Sequence, residues 1–283
     1  MTESDFENLW LSLSIQNNFI FGKTFETNPD LCRRLLQLIL NFHIKHISFP
    51  EREKVIEART DSKGIRLDVY VEDKDTNRSF DVEMQVSDSD NLAKRMRYYQ
   101  GLIDLDKLKH GQHYSALGDS FIIFICPFDH FNAGRHIYTF KETCVECPSI
   151  GLNDGATKIF LSTKGTADDV STDLRAFLDY VDSGIINGDF VQELDSAVQL
   201  VKSNRKAMKE FMTYEMSLLE SRMEGEQQGL LRGLAEGEAI GFTKGTEDVA
   251  RNMIKLGLDF SVIQSVTHLS IERIKELAAN IFS

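Results

Sequence analysis

The sequence predicts an α/β fold of the α+β-like kind, in which helices flank a mixed β-sheet and a helical C-terminal extension follows. Two observations support this prediction. Segments with strand-like patterns alternate with segments of helical apolar spacing up to residue 181, and from residue 190 onward the chain is helical and charged. Of the 283 residues, 42% are hydrophobic, which is ample for a folded core.

The first part of the chain supplies helices and one strand. Residues 14–25 (SIQNNFIFGKTF) are rich in aromatic side chains. Residues 30–43 (DLCRRLLQLILNFH) have helical apolar spacing and follow Pro29, a residue type that is favoured in the first helical turn. Residues 54–59 (KVIEAR) then predict a strand that leads into the next pair of strands.

A β-hairpin is predicted for residues 65–86 (IRLDVYVEDKDTNRSFDVEMQV). Apolar and polar side chains alternate along both halves, and the polar run DKDTN between them predicts the turn. Because directly opposed residues share a face of the sheet, the apolar faces match when Val69 lies opposite Val82.

The same register brings two acidic side chains together. It places Asp68 across from Glu83, and Arg66 across from Gln85. Two neighbouring carboxylates repel each other unless a cation or a proton lies between them. Such oxygen ligands suit Mg²⁺, which can polarise a phosphodiester and deliver a water nucleophile. The alternative is a solvent-facing strand with ordinary polar alternation, and the pattern alone favours that alternative.

Residues 88–108 predict a helix that opens with Ser and Asp capping residues. The helix carries Lys94, Arg95 and Arg97, together with two tyrosines. A basic, aromatic helix beside a pair of carboxylates suits contacts with nucleic-acid phosphates. An amphipathic core helix with solvated charges explains the same residues equally well.

Further strands and one helix complete the predicted sheet region. Residues 120–127 (SFIIFICP) are typical of a strand that is buried on both faces. Strands are expected at residues 136–140 and 158–162, and a helix at residues 170–181.

The cysteines do not indicate a disulfide scaffold, because there are only four in a chain of this length. Cys144 and Cys147 have the spacing of half a zinc site, but no second pair with this spacing exists. Cys126, His130 and His136 would complete a zinc site only if the fold happened to bring them close to this pair. The sequence therefore favours structural roles for these residues over zinc binding.

Glycine recurs at every fourth position near the C-terminal end. Each glycine in an exposed helix costs about 1 kcal/mol relative to alanine, so a solitary helix is disfavoured here. On a helix the row would drift only about 40° per step, leaving a smooth groove that admits a second helix or chain. A helix used for homo-oligomerisation and a flexible, repeat-expanded linker therefore both remain open. The glycine row consists of Gly225, Gly229, Gly233, Gly237, Gly241 and Gly245.

The last segment predicts three short helices with breaks at Gly257 and at residues 267–270. This spacing is like that of a helix-turn-helix. The last helix has as many acidic as basic residues, so a small packing module is favoured over base readout. We therefore expect three parts: a globular domain at 1–185, a helical region with the glycine row at 186–247, and a small helical module at 248–283.

Composition limits the protein's partners. The formal net charge of −12 argues against non-specific coating of nucleic acid, so any such contact requires a local basic patch. No apolar run approaches the roughly 20 residues of a membrane span, and the first residues lack the basic and apolar regions of a signal peptide. The sequence predicts a cytoplasmic protein without a membrane partner.

Several segments together resemble the Rpn family of recombination-promoting nucleases and transposase-like proteins, bacterial members of the PD-(D/E)XK nuclease superfamily. They include NNFIFGKTF, GIRLDVYV with FDVEMQ, KRMRYYQGLIDLDKLKHGQHY, SFIIFICPFDHF and GATKIFLSTKG. The resemblance covers residues 14–165 in order, and the glycine-repeat tail is also similar to such proteins. It implies a restriction-endonuclease-like core, a metal site on the second and third strands of a meander, and DNA as the partner.

The resemblance also implies roles for individual residues. Asp68 and Glu83 match the aspartate and glutamate that bind Mg²⁺ in such enzymes, with Mn²⁺ as the alternative ion. Gln85 matches the position that many superfamily nucleases fill with lysine. We count Gln85 with the catalytic residues, as a side chain that positions water.

The sequence leaves two functions open. The first is a Mg²⁺-dependent DNA endonuclease in which Arg66, Lys94, Arg95 and Arg97 contact the nucleic acid. An amide such as Gln85, however, carries no charge and cannot act as a general base near neutral pH. The second is therefore a catalytically weak or inactive DNA-binding or oligomerising protein derived from a mobile element.

Overall fold

The computed structural model of the protein describes residues 3–56 and 64–282. The last residues of the strand predicted at 54–59 lie outside this part. The chain divides into two compact units, Met1–Met212 and Thr213–Ser283, which we describe separately. The domain boundaries expected at residues 185 and 247 remain predictions.

The structure contains helices and strands at most of the positions that the sequence predicts. The strands are β1 (Glu51–Ile56), β2 (Ile65–Asp73), β3 (Arg78–Met84), β4 (Asp119–Cys126), β5 (Ile137–Phe140) and β6 (Ala156–Ser162). The helices are α1 (Glu3–Ser12), α2 (Asn18–Thr27), α3 (Pro29–Leu40), α4 (Leu92–Lys107), α5 (Thr172–Ser183), α6 (Asp189–Ser203), α7 (Arg205–Lys255), α8 (Phe260–Thr267) and α9 (Ile271–Phe282).

The strands form one mixed sheet in the order β1-β2-β3-β4-β6-β5. The first three strands are an antiparallel meander, β4 lies parallel to β3 and β6, and β5 is antiparallel to β6. The β2–β3 pair has the predicted register, with Val69 opposite Val82. Helix α4 makes the long connection from β3 to β4 that a parallel pair requires. This architecture confirms the predicted α/β, restriction-endonuclease-like fold with its helical C-terminal extension.

Both faces of the central strands are covered. Successive side chains of a strand point to opposite faces, and every residue from Ser79 to Met84 in β3 is buried. Helix α4 packs against β1 and β4, while α2 packs against β1, β2, β3 and α6. A solvent-facing strand at Asp68 and Glu83 is therefore excluded.

The second unit has a small core of its own. Helix α8, helix α9 and the end of α7 share a cluster of buried apolar side chains. The predicted breaks are present, because Gly257 and His268 both have positive φ angles, of 76° and 57°. The first of the three expected short helices is the end of α7 rather than a separate element. The cluster consists of Ala250, Ile254, Ile263, Ile274 and Leu277.

The glycine row lies within α7, so the flexible-linker interpretation is wrong. A Cβ atom added at any of the six glycines would meet nothing within 4 Å apart from the adjoining backbone of its own helix. Large apolar side chains between and beside the glycines, such as Leu230, Leu234 and Phe242, are exposed. None of the described helices combines the length and apolar character that crossing a membrane requires.

Candidate active site

A cleft of about 680 Å³ opens where β2 and β3 meet the first turns of α2 and α4. Its floor carries the predicted carboxylates, and its walls carry basic and aromatic side chains. The predicted residues Arg66, Lys94 and Arg95 line it, whereas Gln85 and Arg97 do not. The lining consists of Asn18, Gly64, Ile65, Arg66, Asp68, Glu83, Asn91, Lys94, Arg95, Tyr98 and Tyr99.

The two carboxylates replace backbone carbonyls as hydrogen-bond acceptors at the end of the β2–β3 pair. The paired positions stop at Val69 and Val82. Beyond that point the Asp68 N–H donates to Glu83 Oε1 at 2.8 Å, and the Met84 N–H donates to Asp68 Oδ2 at 3.1 Å. Each carboxylate is thus fixed by a backbone amide, and the predicted pair of side chains is brought together.

Helix α2 contributes a contact that the sequence analysis did not find. Asn18 Nδ2 donates to Asp68 Oδ1 at 3.4 Å. The close approach of α2 to β2 depends on Gly22, where an added Cβ would lie 2.6 Å from Arg52 Cγ and 3.2 Å from the Asp68 carbonyl oxygen. A bulkier residue at this position would push the helix away from the site.

Arg95 supplies the positive charge that contacts the Glu83 carboxylate. Its Nη2 donates to Glu83 Oε2 at 3.1 Å. The guanidinium carbon also lies 5.3 Å from the ring centroid of Tyr99 and 5.0 Å from that of Phe124, both within cation–π range. The guanidinium is therefore held against Glu83 by its surroundings.

Asp81 is a third acidic residue near the pair, and the sequence analysis did not count it among the site residues. It is 1% exposed, and its carboxyl oxygens accept no hydrogen bond from an amide or a hydroxyl but lie beside the Glu83 carboxyl. Asp81 precedes Glu83 by two residues, so both side chains leave β3 on the same face. The D-x-E spacing was therefore the signal in the sequence that Asp81 lies near Glu83.

Burial dominates the electrostatics of these carboxyls. Desolvation and then the Glu83 charge raise the pKa of Asp68 well above its usual range, although the Met84 amide and Arg95 oppose this. Desolvation, followed by the charges of Glu83 and Asp68, likewise raises the pKa of Asp81. Desolvation also raises the pKa of Glu83, against the Asp68 amide and Arg95. Such a site favours protons or a cation over bare charge.

The remaining predicted residues occupy different surroundings. Gln85 is 8% exposed, and its Nε2 donates to the Ser87 carbonyl at 2.6 Å, which ties the side chain to the loop after β3. Arg66 and Lys94 are exposed on the cleft wall. Arg97 is also exposed but lies outside the cleft.

The donor chemistry fits a hard divalent cation. In the described part of the chain, no group of three or more His, Cys, Asp or Glu side chains is arranged as a metal site. Mg²⁺, however, is commonly held by only one or two carboxylates, with water and substrate phosphates completing its shell. Asp68 and Glu83 supply two carboxylates beside an open cleft, and Asp81 adds buried oxygens that accept no hydrogen bond from an amide or a hydroxyl.

None of the cysteines lines this cleft. Cys144 Sγ contacts Glu146 Oε2 at 3.2 Å, and Cys147 Sγ contacts Ser149 Oγ at 3.3 Å. Cys126 is buried in β4, where desolvation raises the pKa of its thiol to about 12. The half-site at Cys144 and Cys147 has no completing ligands among the described residues.

Comparison with known proteins agrees with the geometry. No curated protein and no solved structure matches the chain significantly. Residues 16–151 match the family model described as a PD-(D/E)XK nuclease family transposase, and this range contains the whole cleft. Residues 16–151, just under half of the chain, are therefore similar to the PD-(D/E)XK nuclease family transposases.

Proposed function

We propose that the protein is a Mg²⁺-dependent DNA endonuclease that hydrolyses phosphodiesters, with Mn²⁺ as an alternative ion. The observation that carries this proposal is the buried Asp68–Glu83 pair on the floor of a cleft with basic walls. The family match of residues 16–151 supports it, because nucleases of this superfamily are generally dependent on divalent metals.

In this proposal, different residues of the chain bind the ion, bind the DNA and orient the carboxylates. Asp68 and Glu83 would hold the ion, which when bound would polarise the phosphodiester and lower the pKa of a coordinated water. The exposed side chains of Arg66 and Lys94 bind the phosphate backbone along the cleft wall. Asn18 orients Asp68. Gln85 lies outside the cleft, where its amide donates to the Ser87 carbonyl, and it brings no charge, so we expect slow turnover.

Nicking of supercoiled plasmid tests the proposal. The comparison is between the wild type, Asp68→Asn and Glu83→Gln, with Mg²⁺ or Mn²⁺ and with an EDTA control. We expect both variants to lose nicking by at least about 100-fold, which corresponds to about 2.7 kcal/mol of transition-state stabilisation.

Asp75→Asn is the matched control, because Asp75 lies in the exposed turn of the same hairpin and contacts His46. It should nick DNA like the wild type. Equal nicking by the wild type and both site variants would assign the activity to a contaminant and refute the proposal.

A second candidate function is a DNA-binding or oligomerising protein with little or no catalysis. The replacement of lysine by Gln85 and the exposed glycine row of α7 favour it. In that case the protein would bind DNA without metal and would not nick it.

We further propose that α7 pairs with a second copy, which would make the protein a homo-oligomer. We place either activity in the bacterial cytoplasm, where the DNA is.

A further inference from the structure

Arg95 is held more firmly than a surface arginine that merely attracts DNA. Its guanidinium contacts two aromatic rings and donates to Glu83, whose side chain is only 2% exposed. The Nε of Arg95 is buried and has no hydrogen-bond partner. The residue is therefore fixed at the carboxylates while part of its donor capacity is unused.

Both carboxylate oxygens of Glu83 already accept a hydrogen bond. Glu83 Oε1 accepts the Asp68 amide, and Glu83 Oε2 accepts the Arg95 guanidinium. A divalent ion at Oε2 would lie next to a fixed positive charge in a poorly solvated place, where like charges repel strongly. Arg95 and a metal ion therefore compete for the same carboxylate.

Arg95 also has a second potential partner, a DNA phosphate in the cleft. It lines the same cleft as Arg66 and Lys94, where a DNA phosphate would lie. A guanidinium binds phosphate through a planar fork of donors, and the Nε that lacks a partner belongs to that fork. Gln85 brings no charge to this region, whereas Arg95 already contacts Glu83 and can neutralise a phosphate beside it.

We propose that Arg95 is a positioning residue that acts through Glu83: it balances the carboxylate charge in the metal-free site and turns to the substrate phosphate when a divalent ion takes Glu83. This inference rests on the proposed function. It makes metal binding and phosphate binding interdependent, because the guanidinium would be free to contact a phosphate only when it is no longer paired with Glu83.

Metal affinity tests the inference without relying on cleavage. Mn²⁺ binding to the full chain would be measured by titration calorimetry at about pH 8.5, where protons compete least for the carboxylates. Arg95→Ala and Arg95→Gln should bind Mn²⁺ at least about threefold more tightly than the wild type, because a competing charge is gone. Arg95→Lys retains the charge and should return the affinity close to that of the wild type.

Arg78→Ala is the matched control. Arg78 also lies over an aromatic ring, that of Phe42, and pairs with a carboxylate, that of Asp119, but it is at the other end of β3. Its Nε is likewise buried and has no hydrogen-bond partner, although it lies 3.5 Å from Asp119 Oδ2. Losing Arg78 should lower stability and leave the Mn²⁺ affinity unchanged.

The outcomes separate this inference from the proposed function. Tighter Mn²⁺ binding together with weaker nicking by Arg95→Ala supports both. Tighter binding without any nicking by the wild type supports the role of Arg95 and refutes the nuclease. Equal or weaker Mn²⁺ binding by folded Arg95→Ala and Arg95→Gln, or no Mn²⁺ binding by any form, overturns the inference whatever the nicking assay gives. If Arg95→Ala fails to fold, Arg95→Gln decides the result.

Discussion

The acidic group of β2 and β3 and the glycine row of α7 are both locally unfavourable, but the molecule responds to them differently. Buried carboxyls lose hydration, and exposed helical glycines lose about 1 kcal/mol each. In the sheet, two backbone amides and Arg95 compensate Asp68 and Glu83. The glycines of the row, by contrast, face open space on the side where a Cβ would stand. An unfavourable pattern thus requires a partner, which the fold supplies for Asp68 and Glu83 but not for the glycines of the row.

Replacing all six glycines of the row by alanine should have the largest effect on stability. Helix propensity alone favours alanine by up to about 6 kcal/mol in total. If the row receives a second copy, the added methyl groups would also block self-association. Thermal unfolding followed by circular dichroism and sedimentation equilibrium would measure the two effects.

Alanine at Gln228, which lies beside the row on α7, controls for propensity without filling the groove. It should change helix stability only slightly and leave self-association intact. A glycine-free variant that associates as strongly as the wild type would show that the row is not an interface.

Asp81→Asn should have an intermediate effect and should stabilise the fold. The pKa of Asp81 is raised in the folded state, so the folded protein binds more protons than the unfolded one, and stability falls as pH rises above about 4. Asparagine has no carboxyl group to ionise, so this loss of stability disappears. We expect the variant to be more stable than the wild type by about 1–3 kcal/mol at neutral pH. Urea unfolding at several pH values would show the gain shrink toward about pH 4.

Asp73→Asn serves as the control, because it should change the free energy of unfolding in the opposite direction. Asp73 is also buried on this hairpin, but its carboxylate accepts bonds from the Asp75 amide and from the Thr76 amide and hydroxyl. Its replacement should destabilise the protein. A loss of stability in Asp81→Asn as well would mean that the Asp81 carboxylate is compensated after all.

The smallest effect is expected from Lys94→Ala, which should weaken DNA binding by removing one phosphate contact. The slope of log affinity against log salt should fall by about 1. Arg97→Ala should change the slope less, because Arg97 lies outside the cleft. Fluorescence anisotropy in Ca²⁺ at several salt concentrations would compare them. Equal slopes for both variants would show that the DNA path extends beyond the cleft.

The sequence was sufficient for the hairpin because its information is local. A slip of one residue would turn every apolar side chain of β2 to the wrong face, so the alternating pattern determined that Val69 lies opposite Val82. The helices likewise follow from periodicity and caps, as at Pro29 and Ser171.

The side-chain partners of the site could not be predicted in the same way. Asn18 reaches Asp68 across 50 residues of sequence, and only the packing of α2 on β2 brings them together. The three basic residues of α4 looked equivalent in the sequence. Arg95 and Arg97 differ by about 200° around the helix, so the tertiary orientation of α4 decides which one meets Glu83.

At the end of the β2–β3 pair, carboxylates take the place of backbone carbonyls as hydrogen-bond acceptors. Two amides can therefore serve as spectroscopic reporters. The Asp68 N–H senses the charge of Glu83, and the Met84 N–H senses that of Asp68. Their proton chemical shifts and solvent-exchange rates would therefore record protonation or ion loading of each carboxylate separately, without a label in the site.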